Sequence, residues 1–284
     1  MRILILGASG LLGNGVFRVL SEERSWDVVG TIRSQELKRL FSAAVAERLV
    51  IAPDLEDHAI LEALFKKLQP RVVVNCIALR KGPGNIIDPM KAISVFSVLP
   101  HRLARLCRLT NARLIHISSD GVFSGRKGNY TEDDLADASD IYGVSKFLGE
   151  VSEPHTITIR TSILGHELQT ATGLLEWFLA QKGQCKCFTR AIFSGFPTVV
   201  LAQIIRDVII PKEDLVGIYH VAASPISKFD LLSLVAEIYE KAIDLIPNDQ
   251  VVIDRSLVAD KFRRATGYNP PDWRKLIQTM HSFK

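Results

Sequence analysis

Three polar residues in the middle of the chain have the types and spacing needed to transfer a proton to a carbonyl group. Tyr142 and Lys146 stand four residues apart in the segment YGVSK, which places both side chains on one face of a helix. An ammonium group close to a phenol lowers the pKa of the phenol from about 10 toward neutral pH and makes it a usable proton donor. Ser119 stands at the end of an apolar strand segment, where its hydroxyl is positioned to hydrogen-bond a carbonyl oxygen. Ser119, Tyr142 and Lys146 are therefore predicted to be catalytic.

A glycine-rich turn near the N-terminus is the second chemical signal. Residues 7–13 read GASGLLG and lie between the apolar run Arg2–Leu6 and the helical pattern Leu11–Leu20. Glycines permit a tight turn and a close approach to a pyrophosphate, and the helix N-terminus supplies N–H groups and partial positive charge. The turn predicts a dinucleotide cofactor, which would supply hydride to the carbonyl, and a purely structural loop is the alternative. The predicted cofactor contacts in it are Gly7, Ser9, Gly10, Leu11, Leu12 and Gly13.

The end of the second strand indicates which dinucleotide is preferred. The segment Thr31–Ser34 reads TIRS and lacks the carboxylate that many such proteins place against the adenosine ribose. Arg33 is suited to pair with a 2′-phosphate, which favours NADP(H), with NAD(H) possible and a solvated arginine as the alternative. Asp54 and Leu55 follow the third strand and are predicted to bracket the adenine, unless Asp54 is an ordinary turn residue.

The elements that must position these residues alternate between strands and helices. Short apolar runs separated by helical segments imply right-handed crossovers and therefore an α/β fold with a doubly wound, parallel Rossmann-type sheet. Ligands of such sheets bind at the carboxyl ends of the strands, where the cluster Ser118–Asp120 is expected. The predicted strands are Arg2–Leu6, Val28–Ile32, Leu49–Ile51, Val72–Asn75, Arg113–Ser118 and Ile157–Arg160.

The strand and helix rhythm changes after Ser162, which indicates a second unit. Residues 1–162 are predicted to form the dinucleotide-binding domain, with 196–217 packing back onto it, and 163–284 to form mostly a smaller C-terminal α/β substrate lobe. Aromatic and arginine side chains of this lobe are suited to stack on a base and clamp a diphosphate, although in a lobe with little core of its own such residues more often serve packing. Among them Arg190 is the preferred phosphate contact. The set comprises Trp177, Phe178, Arg190, Phe193, Arg255 and Trp273.

Composition excludes several other classes of protein. The 284 residues include 47% hydrophobic and 23% charged residues, which is typical of a folded globular protein. The net charge of +4 is spread along the chain, which argues against nucleic-acid binding and is compatible with an anionic small molecule. Apolar runs are too short to cross a bilayer, and the first apolar run is too short for a signal peptide, so a cytoplasmic protein is expected. Its expected oligomeric state is a monomer or a homodimer. The four cysteines and seven histidines show no metal-ligand spacing, so no metal is expected.

Taken together, the motifs resemble the extended short-chain dehydrogenase/reductases, and within them the dTDP-4-dehydrorhamnose reductase branch. The resemblance implies NADPH-dependent reduction of the 4-keto group of a nucleotide-linked 6-deoxyhexose, as in dTDP-rhamnose and polysaccharide biosynthesis. It gives the catalytic roles to Ser119, Tyr142 and Lys146, with Lys146 also on the nicotinamide ribose. It further implies that Ala78 and the Thr161-Ser162 turn line the nicotinamide site and that Asp120 contacts substrate. The matching segments are 7–13, 72–78, 117–125, 130–132, 142–150 and 159–165.

Two residues depart from the pattern of that family. Phe96 stands where the family usually carries an asparagine, so the fourth member of the usual catalytic tetrad is missing or supplied elsewhere. Gly121 stands where the reductase branch commonly has an aromatic residue, and because glycine has no acid or base group, a 4,6-dehydratase is disfavoured. Both changes indicate a different sugar or weaker catalysis. A sugar-nucleotide epimerase remains open, as does a non-catalytic NADP-binding regulatory subunit, because a relative of this branch is a partner of methionine adenosyltransferase. The intact Ser119, Tyr142 and Lys146 argue against the regulatory role.

Overall fold

Strands and helices alternate along the chain in the computed structural model, which describes residues 1–79, 87–169 and 172–283. The strands are β1 (Arg2–Leu6), β2 (Asp27–Ile32), β3 (Leu49–Ile51), β4 (Val72–Asn75), β5 (Arg113–Ile117), β6 (Thr156–Arg160), β7 (Ile163–Leu164), β8 (Gln184–Phe188), β9 (Ala191–Phe193), β10 (Phe196–Pro197), β11 (Gly217–His220), β12 (Ile226–Ser227), β13 (Asp244–Asn248) and β14 (Ile253–Asp254). The α-helices are α1 (Leu11–Leu20), α2 (Ala43–Ala46), α3 (His58–Leu68), α4 (Pro89–Ala92), α5 (Leu99–Leu109), α6 (Ile141–Leu148), α7 (Leu174–Ala180), α8 (Thr198–Ile204), α9 (Lys228–Ile238), α10 (Asp260–Thr266) and α11 (Trp273–Ser282). Two 3₁₀ turns (Gln35–Leu40 and Asp120–Val122) and two π-helical segments (Ile93–Val98 and Ile205–Ile209) complete the set.

Seven of these strands form one sheet in the order β3-β2-β1-β4-β5-β6-β11, and every neighbouring pair is parallel. The strand order reverses at β1, because β2 lies on one side of it and β4 on the other. A crevice at the carboxyl ends of the strands is expected at such a reversal. The predicted doubly wound Rossmann-type sheet is therefore confirmed.

The core consists of two apolar layers, one on each face of this sheet. Successive side chains of a strand point to opposite faces, and β1 accordingly places Ile3 and Ile5 in one layer and Leu4 and Leu6 in the other. Residues of α1, α8 and α11 share the first layer, and residues of α3 and α5 share the second. Each layer removes the apolar stripe of its helices from water, which is the main favourable free energy of folding.

Short strands form the smaller C-terminal part of the chain. The pairs β7-β10 and β8-β13 are parallel, and β9 lies between β12 and β14. Helix α8 returns to the main sheet and contacts α1, where a Cβ on Gly15 would lie 3.4 Å from Thr198. The last strand of the sheet, β11, also comes from beyond residue 162. The division of the chain into a domain and a lobe after residue 162 remains a prediction. No helix of the described residues is long and apolar enough to cross a membrane.

Arg113 ties the returning segment to the sheet. It is buried at the start of β5, and its Nη1 donates to the carbonyl of Ile209 at 2.6 Å while Nη2 donates to that of Leu215 at 2.9 Å. These carbonyls lie on both sides of the turn that leads into β11. The guanidinium therefore fixes the edge of the sheet that carries the last strand.

We expect Arg113→Met to lower the free energy of unfolding by about 2–4 kcal/mol, because two buried carbonyls lose their donors at about 1–3 kcal/mol each. Urea denaturation measures the change. The control is Arg108→Met on α5, which removes an exposed ion pair with Glu153 and should cost no more than about 1 kcal/mol. Equal losses in the two variants would contradict the role assigned to Arg113.

Candidate active site

The glycine turn between β1 and α1 has the shape that a dinucleotide requires. Gly7 has φ of +83°, a conformation that side chains disfavour, and its N–H donates to Thr31 Oγ1 at 3.0 Å. The N–H of Gly10 donates to the carbonyl of Gly7 at 2.9 Å, and no side chain of the described residues caps the N-terminus of α1. The first N–H groups of α1 are thus left for an anionic ligand.

Gly13 allows the helix to come this close to the turn. A Cβ at position 13 would lie 2.0 Å from the carbonyl oxygen of Gly7, far inside van der Waals contact. Any side chain there would push α1 away from the turn. The turn and the start of the helix therefore form a cradle of backbone groups that fits a pyrophosphate.

The predicted contacts to the adenosine and the nicotinamide are spread over the ends of several strands. Arg33 is exposed directly after β2, and β2 is the neighbour of β1 in the sheet. Asp54 uses its carboxylate locally, because Oδ1 accepts from the N–H of Glu56 at 2.9 Å, and Leu55 packs against the second core layer. Ala78 is exposed a few residues after β4. Arg33 and Ala78 thus stand at the same edge of the sheet as the glycine turn.

Ser119 and Tyr142 are brought together by β5 and α6. Ser119 follows β5, and its Oγ accepts from the N–H of Gly121 at 3.0 Å and donates to Asp120 Oδ1 at 3.1 Å. Asp140 caps α6 by accepting from the N–H of Gly143 at 3.0 Å, which places Tyr142 in the first turn. A Cβ on Gly121 would lie 3.2 Å from Ser119 Oγ and 2.8 Å from Tyr142 Cε1, so the two side chains lie close together, and Ser119 lowers the pKa of the phenol. The two residues therefore share one site.

Lys146 has different partners from those expected. Its Nζ donates to the carbonyl of Ile117 at 3.0 Å and lies 4.7 Å from the centre of the Phe96 ring. No hydrogen bond joins Lys146 to Tyr142 within the described part of the chain. Burial lowers the pKa of the ammonium to about 8, while Cys76 and Glu150 oppose this shift.

The expectation that Lys146 lowers the pKa of Tyr142 is wrong for this structure. Burial is the largest influence and raises the pKa of the phenol, and the carboxylates of Asp120 and Asp140 raise it further. The opposing groups are Ser119, which lies beside the phenol, and Arg255, through its positive charge. Spacing along a helix predicted proximity, but it did not predict that Ile117 and Phe96 would engage the ammonium.

A buried ionic network lies next to these residues, and it was not predicted from the sequence. Glu150 accepts from Arg160 at 2.8 and 2.7 Å and from the Ser118 hydroxyl at 2.8 Å, and the ion-pair side chains are 3% and 4% exposed. Arg160 also contacts His220 Nε2 at 3.3 Å, and His220 Nδ1 lies 3.1 Å from the carbonyl of Tyr130. Glu150 stands one helical turn beyond Lys146. This spacing was the feature of the sequence that could have indicated that Glu150 lies near the site.

Asp120 and Arg255 form the outer part of the site. Burial raises the pKa of Asp120, while Ser119, Arg255 and Ser162 oppose the shift. Arg255 follows β14, and its Nε is buried without a hydrogen-bond partner among the described residues. From the sequence, Arg255 was only one of several candidates for a phosphate contact, since nothing in its neighbours along the chain indicates that β14 places it near Asp120.

Arg190 and Thr161 occupy different surroundings. Arg190 is exposed between β8 and β9, and its side chain forms no hydrogen bond or ion pair within the described ranges. Thr161 is buried, and its carbonyl accepts from the N–H of Asp120 at 3.0 Å. The described residues contain no group of three or more His, Cys, Asp or Glu side chains that could hold a metal ion.

The sheet order, the glycine turn and the strand-end serine beside a Tyr-x-x-x-Lys helix define an extended short-chain dehydrogenase/reductase fold. The RmlD substrate binding domain family matches residues 1–282, and the chain belongs to this family. The match spans nearly the whole chain, so the family covers both the sheet and the C-terminal part.

Individual relatives fall into two groups. The chain is 27% identical to methionine adenosyltransferase 2 subunit beta of Danio rerio over 84% of this chain and 74% of that protein. Matches to the Xenopus laevis and Xenopus tropicalis subunits span only 41% and 43% of those proteins. The chain is 24% identical to dTDP-4-dehydrorhamnose reductase of Aggregatibacter actinomycetemcomitans over 99% of each chain.

Solved structures show the same fold. A hypothetical dTDP-4-dehydrorhamnose reductase from Sulfolobus tokodaii superimposes with a TM-score of 0.78 at 28% identity, over 96% of this chain and 98% of that one. The NADP complex of dTDP-4-dehydrorhamnose reductase from Bacillus anthracis has a TM-score of 0.79 at 19% identity, over 100% and 99% of the two chains. The second likeness concerns the fold alone.

Acid should destabilise the ionic network through His220. Burial and the charge of Arg160 lower the pKa of this histidine to about 4 from its ordinary 6.5, so the unfolded chain binds the proton more readily than the folded one. Its contribution to stability is complete above about pH 6.5 and is lost as the pH falls toward 4, on the order of 3 kcal/mol in total. Burial shifts His116 in the same direction.

Urea denaturation between pH 7 and pH 4 measures this dependence. We expect His220→Gln, which cannot titrate, to lose less stability over that range than the wild-type protein. His58→Gln is the control, because His58 is exposed on α3. A His220→Gln profile as steep as the wild-type profile would refute the assignment.

Proposed function

We propose that this protein uses NADPH to reduce the 4-keto group of a nucleotide-linked 6-deoxyhexose, with Tyr142 as proton donor. The observation that carries the proposal is the pairing of Ser119 and Tyr142 at the carboxyl end of β5, at the sheet edge where the glycine cradle begins α1. Membership of the RmlD family and full-length similarity to a dTDP-4-dehydrorhamnose reductase support the choice of substrate class.

The cofactor fits the residues of the cradle. The backbone of Gly7, Gly10 and Gly13 would hold the pyrophosphate, and Arg33 would hold a 2′-phosphate. When bound, the dinucleotide supplies the hydride. Ala78 and Thr161 would border the nicotinamide, and Ser9, Leu11 and Leu12 would complete the turn around the phosphates. Asp54 and Leu55 would border the adenine, and Asp54 would do so as part of the turn in which its carboxylate accepts from the N–H of Glu56.

The side chains of the site would act on the carbonyl oxygen of the sugar. Ser119 holds that oxygen by a hydrogen bond, and Tyr142 delivers the proton as negative charge develops on it. Lys146 would bind the nicotinamide ribose. Asp120 would accept hydrogen bonds from sugar hydroxyls, and the lobe of residues 163–284 would enclose the nucleotide, with Arg190 as its proposed phosphate contact.

A second candidate function is supported by the similarity to methionine adenosyltransferase 2 subunit beta. In that case the chain would bind NADP and a catalytic partner without turning over a sugar. The engagement of Lys146 by Phe96 favours this candidate, because it withholds the ammonium from Tyr142. The intact Ser119 and Tyr142 pair favours the reductase. An epimerase, which would return its hydride to the substrate, uses the same residues and differs only in net cofactor consumption.

The first test follows NADPH absorbance at 340 nm with a panel of nucleotide-linked 4-keto-6-deoxyhexoses. We expect oxidation of NADPH, and a 10²- to 10⁴-fold lower kcat for Tyr142→Phe, because the variant lacks the proton donor. The control is Tyr268→Phe, which removes a phenol outside the site. NADPH binding without oxidation by any sugar would support the regulatory candidate, and sugar conversion without net oxidation would support the epimerase.

Arg33 should determine the preference between the two cofactors. We expect Arg33→Ser to raise KM for NADPH by about 10- to 100-fold, the value of a charge-assisted hydrogen bond to phosphate, and to leave KM for NADH nearly unchanged. Arg48→Ser is the matched control, because Arg48 is exposed at the opposite end of the neighbouring strand β3. Parallel changes in both KM values would show that Arg33 does not recognise the 2′-phosphate.

A further inference from the structure

Helix α6 is held in one position by contacts between backbones. A Cβ on Gly143 would lie 2.3 Å from the carbonyl oxygen of Gly121, and a Cβ on Gly149 would lie 1.7 Å from that of Phe96. Between these contacts, the Ser97 hydroxyl donates to the carbonyl of Ser145 at 2.9 Å. The helix therefore cannot move to relieve a clash at one of its side chains.

The Tyr142 ring fills a slot between two residues on either side of this helix. On one side the Phe96 ring meets it edge-on, with centroids 5.4 Å apart and an interplanar angle of 87°. On the other side a Cβ on Gly121 would lie 2.8 Å from Tyr142 Cε1 and 3.2 Å from Cδ1. While Phe96 is in place, the Tyr142 ring therefore cannot keep its present position if residue 121 carries a side chain.

Phe96 also engages the ammonium group of Lys146. The ring is 1% exposed, and Nζ lies 4.7 Å from its centre, within the range of a cation–π interaction. The carbonyl of Ile117 accepts a hydrogen bond from the same Nζ at 3.0 Å. Such an interaction is stronger at a buried site than in water, so Lys146 has a stable position that does not include Tyr142.

We propose that Phe96 and Gly121 are a matched pair that positions Tyr142, with Phe96 retaining Lys146 against its own ring and Gly121 leaving the space that the Tyr142 ring occupies. The significance of this pair for catalysis rests on the proposed function, in which Tyr142 donates the proton. Neither residue has a group that can react, so both are positioning residues. The two departures from the family pattern are then one coupled change rather than two independent losses.

The pair changes which positive charge acts on the phenol. The charged groups that face Tyr142 are Asp120 and Asp140, which raise its pKa, and Arg255, which lowers it. Within the part of the chain that the structure describes, Arg255 Nε is buried without a hydrogen-bond partner, and its Cγ borders Gly125, in the loop that continues from Ser119. Arg255 is thus the charged group here that lowers the pKa of the phenol, which is the direction that the helix spacing assigned to Lys146.

A double-mutant cycle tests the slot without any substrate. Thermal unfolding is measured for the wild-type protein, Gly121→Ala, Phe96→Leu and the double variant, each saturated with NADP⁺. We expect Gly121→Ala to lower the melting temperature, and to lower it by less than half as much when Leu at position 96 gives the ring room to retreat. Equal losses in both backgrounds would overturn the matched pair.

A titration tests which charge acts on the phenol. The five tyrosines are labelled with ¹³C at Cζ, the Tyr142 signal is identified with Tyr142→Phe, and its titration is followed by NMR with and without NADP⁺. We expect Arg255→Met to move the midpoint upward by about half a pH unit or more, and Lys146→Met to leave it in place. Arg264→Met, an exposed arginine on α10, is the control.

Phe96→Asn provides the reciprocal test. With the ring removed, Lys146 is released toward Tyr142, so Lys146→Met should raise the midpoint in the Phe96→Asn background although it has no effect in the wild-type protein. A Lys146→Met effect in the wild-type protein as large as that of Arg255→Met would overturn the proposal. Because neither measurement uses a sugar, a protein that fails to reduce keto-sugars would refute the proposed function and leave this result standing.

Discussion

Close contact between backbones around helix α6 is the constraint on which the site depends. Gly143 and Gly149 let the helix touch the carbonyls of Gly121 and Phe96 directly. Because Tyr142 and Lys146 belong to the same two turns, the position of the helix determines both of them together. The chemistry of the site is therefore decided by what fills the small spaces around a fixed helix, which is where this chain differs from the family pattern.

The fold was largely predictable because it is determined by local patterns. The bounds of α1, β1 and β4 were predicted to the residue, since apolar periodicity, Gly10 and the polar residues that follow β4 are visible in the sequence. The meeting of Ser119 and Tyr142 was also predictable, because a parallel sheet brings the end of β5 beside the helix that follows it. The widened helical turn at Ile93–Val98 had no such signal.

The partners of the charged groups were not predictable. Lys146 was expected at Tyr142, but it lies against Ile117 and Phe96, because its position depends on a residue from another helix. The pairing of Glu150 with Arg160, and the approach of Arg255 to Asp120, likewise join segments that are distant or unrelated in pattern. Helical spacing indicates which side chains share a face, whereas packing between elements decides which atoms they reach.

The buried ion pair between Glu150 and Arg160 restrains the strand end that carries the site. Charges buried at 3% and 4% exposure are costly unless each is paired and hydrogen-bonded, and here Ser118 and His220 complete the pairing. Ser118 directly precedes Ser119, so the same carboxylate that balances Arg160 also restrains the strand end that carries the site. Loss of Glu150 or Arg160 would therefore disturb both the ion pair and the position of Ser119.

The placement of β11 has a mechanical consequence for the smaller part of the chain. The polypeptide leaves the sheet after β6, returns through α8 to β11 beside it and leaves again, so three connections join the sheet to that part. Two parts joined by a single connection can rotate about it, whereas three connections restrain such rotation.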